Sequence, residues 1–466
     1  MEKKLFGNKE LMIYCASDFG KGIFGGMITN YLIYFYQPTI ASGLPLFITQ
    51  GLVFFGFLTM IGLIKATGHI FDAITDPIIA HLSDKCKHKS GRRMIFMKWA
   101  AIPYGLCALL VFFPPMQGVN VINNIWVGVF MWGYFLFYTL FMIPHGALLP
   151  EIINDPKKRV KAYSASSFAY VVGSAFVYAT PAIVKFVENT FLTSKVLSWQ
   201  ITFIFLAVLG VASLLITAFG INEKDYVHSK IPSLKMMDAL KGAFANKQFR
   251  MLTFGQLFET ISMAFFQATI MYYITELLGL PLEQSSVIMA ASIAGSICLY
   301  PFVVWISKKY NKKVPLIIAS FVFVFSYVVI IFADKIVAPP LLKGIGFAIL
   351  VSYPFAAMNI LPGALMSDII QYDTLKSGVN KEGIFSAAKS FVTKLGQSIA
   401  LMIVPSVLTI GAAANENVGN LGIKMTAVVA AVFCAASIIF FLVYNDKMVI
   451  KYIEDSKKEN DLAPKE

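Results

Sequence analysis

Apolar stretches of about 18 residues or more recur along almost the whole of this 466-residue chain, and each is a candidate transmembrane helix. No other feature limits the fold as much. The composition agrees, because 57% of the residues are hydrophobic and only 14% are charged, where soluble domains hold about a quarter charged residues. The chain reads as an all-α polytopic membrane protein. The opening "MEKKLFGNKE" is short and charged, and the apolar helix after it contains Asp18 and Lys21 without a small-residue cleavage site. It therefore reads as a retained first span.

Twelve spans are expected, near 11–37, 50–80, 94–114, 122–148, 162–186, 197–220, 251–276, 284–306, 314–334, 338–366, 383–410 and 422–445. The longest polar segment, 221–250, separates a six-helix half over 1–220 from a second over 251–445, with a charged tail at 446–466. The basic balance of +13 follows topology. Only Lys185, Lys195, Lys335, Lys343 and Lys424 fall in the loops opposite the termini, and Lys21, Lys65, Lys389 and Lys394 fall within spans. The other side is rich in Lys and Arg, which places both termini and the central loop in the cytoplasm. No nucleic-acid partner is needed to explain the charge. "DKCKHKSGRR" after the second span and "SKKYNKK" after the eighth occupy matching positions, as in transporters built from repeated halves.

The second span is the unusual one. Lys65, His69, Asp72 and Asp76 follow at i, i+4, i+7 and i+11, an arc of about 60° on a helix. Charged Lys65, Asp72 and Asp76 would cost roughly 2.5–3.5 kcal/mol each in hydrocarbon. Ten Leu, Ile and Phe residues between 57 and 79 return about 0.3–0.6 kcal/mol each. The balance is unfavourable, so the stripe is expected to face other helices or a wet cavity. Two acids one turn apart need a bound cation, a shared proton or a lysine between them. Thr75 adds a hard oxygen beside them, and a coupling-ion site is the functional reading. The structural alternative is a buried ion-pair network that only holds the bundle. Asp18, Lys21, Tyr138, Thr139, His145, Glu259, Gln267, Asn359, Lys389 and Lys394 add polar groups in other spans. Glycines 20, 22, 25 and 26 suit close packing of the first span.

Three ordered motifs carry a family resemblance: "DAITDPIIAHLSDKCKHKSGRR", "YTLFMIPHGALLPEIINDPKKR" (138–159) and "MSDIIQYDTLKSGVNKEGIFSAAKSFVTKLGQSIA" (366–400). Over residues 10–445 the chain resembles a major facilitator, and among these the glycoside–pentoside–hexuronide:cation symporters. The resemblance implies the major facilitator fold with two six-helix halves, alternating access, and a Na⁺ or H⁺ coupling ion with no other cofactor. It implies cation binding by Asp72, Asp76, Thr75 and Thr139. Substrate contacts would come from Asp18, Lys21, Tyr138, Asn359 and Lys394, and a cavity charge network from Lys65, His69 and Lys389. Asp84, Arg92 and Arg93 resemble the loop motif that locks the halves, with Asp368 as a candidate partner for the arginines.

The sequence also departs from that family. Its two sugar-contacting aspartates align with Gly22 and Met142, an arginine with Ser166, and a tryptophan with Asn359. The expected protein is a cation-coupled symporter of a sugar, glycoside or related solute, acting as a monomer in the cell membrane. A lysolipid translocator on the same fold is the alternative. An enzyme or sensor is remote, since HExxH, GxSxG and a Cys/His cluster are all missing from the sequence.

Overall fold

The computed structural model describes residues 7–86, 88–89, 91–153, 156–223, 243–377, 382–413 and 416–462. Fifteen α-helices run through them. The first, α1 (Asn8–Gly26), passes through a π-helical turn at Met27–Tyr31 into α2 (Leu32–Tyr36). A small antiparallel hairpin, β1 (Leu52–Phe54) with β2 (Leu58–Thr59), precedes α3 (Met60–Lys85). There follow α4 (Met94–Leu110), α5 (Val121–Ile152), α6 (Pro156–Tyr178), α7 (Thr180–Phe191) and α8 (Lys195–Gly220). Next come α9 (Lys247–Tyr272) with a second π-helical turn at Tyr273–Leu277, α10 (Leu282–Tyr310) and α11 (Lys313–Ile331). The series closes with α12 (Pro340–Ser377), α13 (Glu382–Leu408), α14 (Asn420–Val443) and α15 (Asp446–Leu462).

The expected spans fall on one or two of these helices each, except that residues 52–59 of the span expected near 50–80 form the hairpin, so its helix begins at Met60. Eight helical stretches, from Val121–Leu149 to Asn420–Ser456, are long and apolar enough to cross a membrane, and α4 is apolar but shorter. The stretches outside that class include α1, α3 and α9, which carry Asp18 and Lys21, the stripe of four ionisable groups, and Glu259. For α3 the reason is visible. Ile70, Ile74, Ile78 and Leu82 form an exposed stripe on one side, while Lys65, Asp72 and Thr75 on the other side are buried. A helix with charges must turn them inward, and this one does.

Two compact units result. The first comprises Met1–Ser233 together with Pro281–Ser286 and Leu401–Gly422, and the second comprises Leu234–Leu280, Val287–Ala400 and Ile423–Glu466. In the first unit the Gln37 side-chain amide donates to the Pro405 and Asn417 carbonyls at 3.0 Å each, which ties Leu401–Gly422 to the end of α2. Close approach of α1 and α6 organises the same unit. A Cβ on Gly22 would collide with the Tyr170 carbonyl oxygen, and one on Gly173 with the Phe19 carbonyl oxygen. Beside this crossing, Tyr31, Phe35, Phe112, Trp199 and Phe203 pack edge-to-face or tilted. The second unit is centred on Phe266, Phe323, Tyr327 and Phe355, with the Tyr327 hydroxyl donating to the Ser262 carbonyl at 2.9 Å.

Candidate functional site

The acidic pair of α3 meets α5 at Thr139. The Thr139 Oγ1 lies 2.7 Å from Asp72 Oδ1 and 3.1 Å from Asp76 Oδ1. A hydroxyl carries one proton, so it serves only one carboxylate at a time. Two like charges thus converge on a single buried oxygen, 0% exposed. The α3–α5 packing that sets this up is aromatic: Phe71 stacks on Trp132 at 5.8 Å, and His69 lies 4.6 Å from the Phe135 ring. Pro77 lacks an N–H, which leaves the Ala73 carbonyl, between the two acids, without its usual helical donor. Carboxylate, hydroxyl and carbonyl oxygens are hard ligands that suit a small monovalent or alkaline-earth cation. Among the described residues no group of three or more His, Cys, Asp and Glu forms a metal cluster.

Thr75 behaves differently from its neighbour across the way. Its hydroxyl donates back to its own helix, 3.0 Å from the Phe71 carbonyl and 3.2 Å from the Asp72 carbonyl. Only an oxygen lone pair remains to face the acids. Lys65, on the same stripe, is 0% exposed and donates to the Ile28 carbonyl at 3.2 Å, inside the π-helical turn that follows α1.

Other expected residues of the first unit line up on α1 and α5. Asp18 is buried, and its Oδ2 accepts no hydrogen bond among the described residues. Lys21 places Nζ 5.6 Å from the Tyr170 ring. Tyr138 lies against Tyr104, with ring centroids 5.8 Å apart. His145 is a packing histidine: it stacks on Tyr14 at 4.0 Å, with Nε2 2.8 Å from the Ser17 hydroxyl. In the second unit, the Asn359 side-chain amide donates to the Phe355 carbonyl of its own helix at 2.7 Å. Lys389 and Lys394 are half-buried on α13.

The loop after α3 forms a charge cluster. Arg93 Nη2 donates to Asp84 Oδ1 at 3.0 Å and to Glu151 Oε1 at 2.6 Å, and Arg92 Nη2 reaches the same Glu151 oxygen at 2.5 Å. Glu223 Oε2 accepts from the backbone N–H groups of Arg93 and Met94 at 2.9 and 3.1 Å, capping α4. Burial pushes the Glu151 carboxyl up, but hydrogen bonds from Arg93 and Arg92 outweigh it and hold the carboxyl below its ordinary range. Asp368, in the second unit, has a lysine partner of its own unit. Lys312, at the start of the neighbouring α11, holds both its oxygens at 2.7 Å. The sequence reading missed Glu151 and Glu223. The first lies inside the 138–159 stretch, but nothing in its spacing marks it as the shared acceptor of two arginines.

These features together describe a polytopic membrane transporter of the major facilitator fold. Solved structures with the same fold include the nucleoside transporter NupG, at a TM-score of 0.61 and 13% identity over 96% of this chain and 100% of that one. They also include a bacterial homologue of the human drug peptide transporters, at 0.61 and 14% over 96% and 99%. The chain belongs to the MFS/sugar transport protein family, whose model matches residues 13–446. It is similar to the lactose permease of Leuconostoc lactis, 23% identical over 90% of this chain, and it spans 66% of that protein's length. The isoprimeverose transporter of Lactiplantibacillus pentosus is 20% identical, over 88% of this chain and 82% of its own length. The raffinose carrier protein of Pediococcus pentosaceus is 23% identical, over 89% and 65%. These relatives are transporters and not enzymes, and they lend no support to the lysolipid reading.

Proposed function

We propose that the chain is a symporter that drives a sugar or related glycoside across the membrane with a monovalent cation, Na⁺ or H⁺. One observation carries the proposal: Asp72 and Asp76 converge on the single hydroxyl of Thr139. Without a positive charge the two carboxylates repel, and a cation between them removes that repulsion. Asp72, Asp76 and Thr139 supply the first oxygens, with Thr75 behind them. Coupling follows because an empty or half-loaded site leaves the like charges uncompensated, which disfavours the passage between states. The cytoplasmic cluster of Asp84, Arg92 and Arg93 pairs in one state and opens in the other. The names of the relatives, which cover lactose, raffinose and isoprimeverose, support a saccharide as the co-transported solute.

Within the first unit, Lys21, Tyr138 and Asp18 are the groups offered to that solute, with Lys65 and His69 as the charges behind them. The binding mode differs from that of the family, because the α1–α6 crossing at Gly22 leaves no room for a carboxylate. Both termini lie in the cytoplasm, and the chain acts as a monomer.

The test is uptake of labelled lactose and raffinose into proteoliposomes with an imposed Na⁺ or H⁺ gradient. Accumulation driven by one of the gradients is expected, and Asp72→Asn and Asp76→Asn each abolish it. Full gradient-driven accumulation by both variants would show the cation assignment to be wrong.

A further inference from the structure

Glu259 of α9 has no part in the cation site, yet it is a buried acid of the second unit. It is 6% exposed, and its Oε1 accepts no hydrogen bond among the described residues. Gln256 and Thr253, three and six residues earlier on the same helix, are 2% and 0% exposed, and their Oε1 and Oγ1 are also without a partner among the described residues. The Gln256 amide is already committed to the Pro362 carbonyl of α12 at 3.3 Å. Among the described residues, the titratable groups facing Glu259 are Lys389 of α13, which attracts its ionised form, and Cys434 of α14.

Among the described residues the Thr253 hydroxyl is the one unpartnered donor of this cluster, against two unpartnered acceptor oxygens, those of Glu259 and Gln256. An ionised carboxylate and the Gln256 Oε1 are acceptors only, so they cannot bond to one another. Residues three apart on a helix place their Cβ atoms about 5–6 Å from each other, within reach of both side chains. One added proton turns Glu259 into a donor and gives Gln256 the partner it lacks. Buried polar atoms are rarely left unsatisfied, and a cluster of three on one helix calls for a cause.

We infer that Glu259 is a proton site of the second unit, separate from the Asp72–Asp76 pair. Its carboxylate takes a proton from hydronium in water and holds it as a carboxylic acid donating to Gln256 Oε1. It returns the proton to water on ionising, when Lys389 supplies the balancing charge. The inference stands whether or not the paired acids of α3 bind a cation.

Infrared difference spectra of the purified full chain in nanodiscs, between acid and alkaline buffer, test it directly. The wild-type spectrum is expected to show the carbonyl stretch of a protonated carboxylic acid that Glu259→Gln loses. Glu259→Asp should keep and shift that band. Gln256→Leu should move it towards the frequency of an acid without a hydrogen bond. If the Glu259→Gln spectrum matches wild type, no proton resides there and the inference fails. Should that variant not fold, an unmoved band in both Glu259→Asp and Gln256→Leu overturns it equally. Asp72→Asn is expected to leave the band in place, which separates this site from the cation site. Stabilisation of wild type and Glu259→Gln by added NaCl reads the α3 pair independently.

Discussion

At the scale of single residues, Thr139 and Glu151 do comparable work on opposite signs of charge. Thr139 stands between two acids and can satisfy only one, so its hydroxyl is worth most when a cation has joined the group. Hydrogen bonds to charged groups contribute roughly 1.5–3 kcal/mol. Thr139→Val keeps the shape and removes the oxygen, and it should weaken cation binding by about tenfold or more. Thr139→Ser should retain it. A thermal shift titrated with NaCl or LiCl measures both, and equal shifts in all three proteins would remove Thr139 from the site. Glu151 lies past the last apolar turn of α5, where Arg92 and Arg93 hold its carboxyl below the ordinary range. Its stabilising effect is therefore fully present above that range and is lost as the pH falls through the lowered folded value. Melting profiles of wild type and Glu151→Gln should diverge near neutral pH and converge in acid. Parallel profiles across the whole range would contradict this sign.

At the scale of helices, the α1–α6 crossing explains why a family residue is missing. An aspartate at position 22 would meet the Tyr170 carbonyl, an oxygen facing an oxygen. Gly22→Asp is therefore expected to destabilise the protein instead of restoring a sugar contact. The cost is on the order of 1–3 kcal/mol for overpacking, plus that of a buried charge. Gly25→Ala, which meets only the Tyr170 hydroxyl at 3.9 Å, should be tolerated. Midpoints of denaturant unfolding in mild detergent compare the two, and a stable Gly22→Asp protein would mean that the helices can part there. The inward turn of α3 was legible because three charges within one arc cannot face lipid. The π-helical turns at Met27–Tyr31 and Tyr273–Leu277 were not legible, since no residue pattern announces where a helix gains one residue per turn.

Over the whole molecule, the strongest sequence signal is charge asymmetry, which predicts the orientation of every helix at once. Epitopes at both termini should resist external protease in intact cells and be cleaved only after permeabilisation. Cleavage of either one in intact cells would reverse that terminus. Repeated membrane-crossing helices were legible from apolar length, and so was the burial of the acid at 72, because helical spacing and the cost of charge in lipid are local properties. The partners of Arg92, Arg93 and Asp368 could not be placed in this way. Glu151 lies 58 residues from Arg93, and Lys312 lies 56 residues from Asp368.

The sequence by itself determined that this chain crosses membranes repeatedly and that its second span must hide an acidic pair. Only the tertiary structure decided what that pair meets. A hydroxyl from α5 stands between the two acids, the threonine beside them turns back to its own backbone, and a helix crossing fills the place of a family carboxylate. The reason is physical: hydrophobicity and charge act along the chain within a turn or two, whereas the partner of a buried oxygen is fixed by how helices far apart in sequence come together.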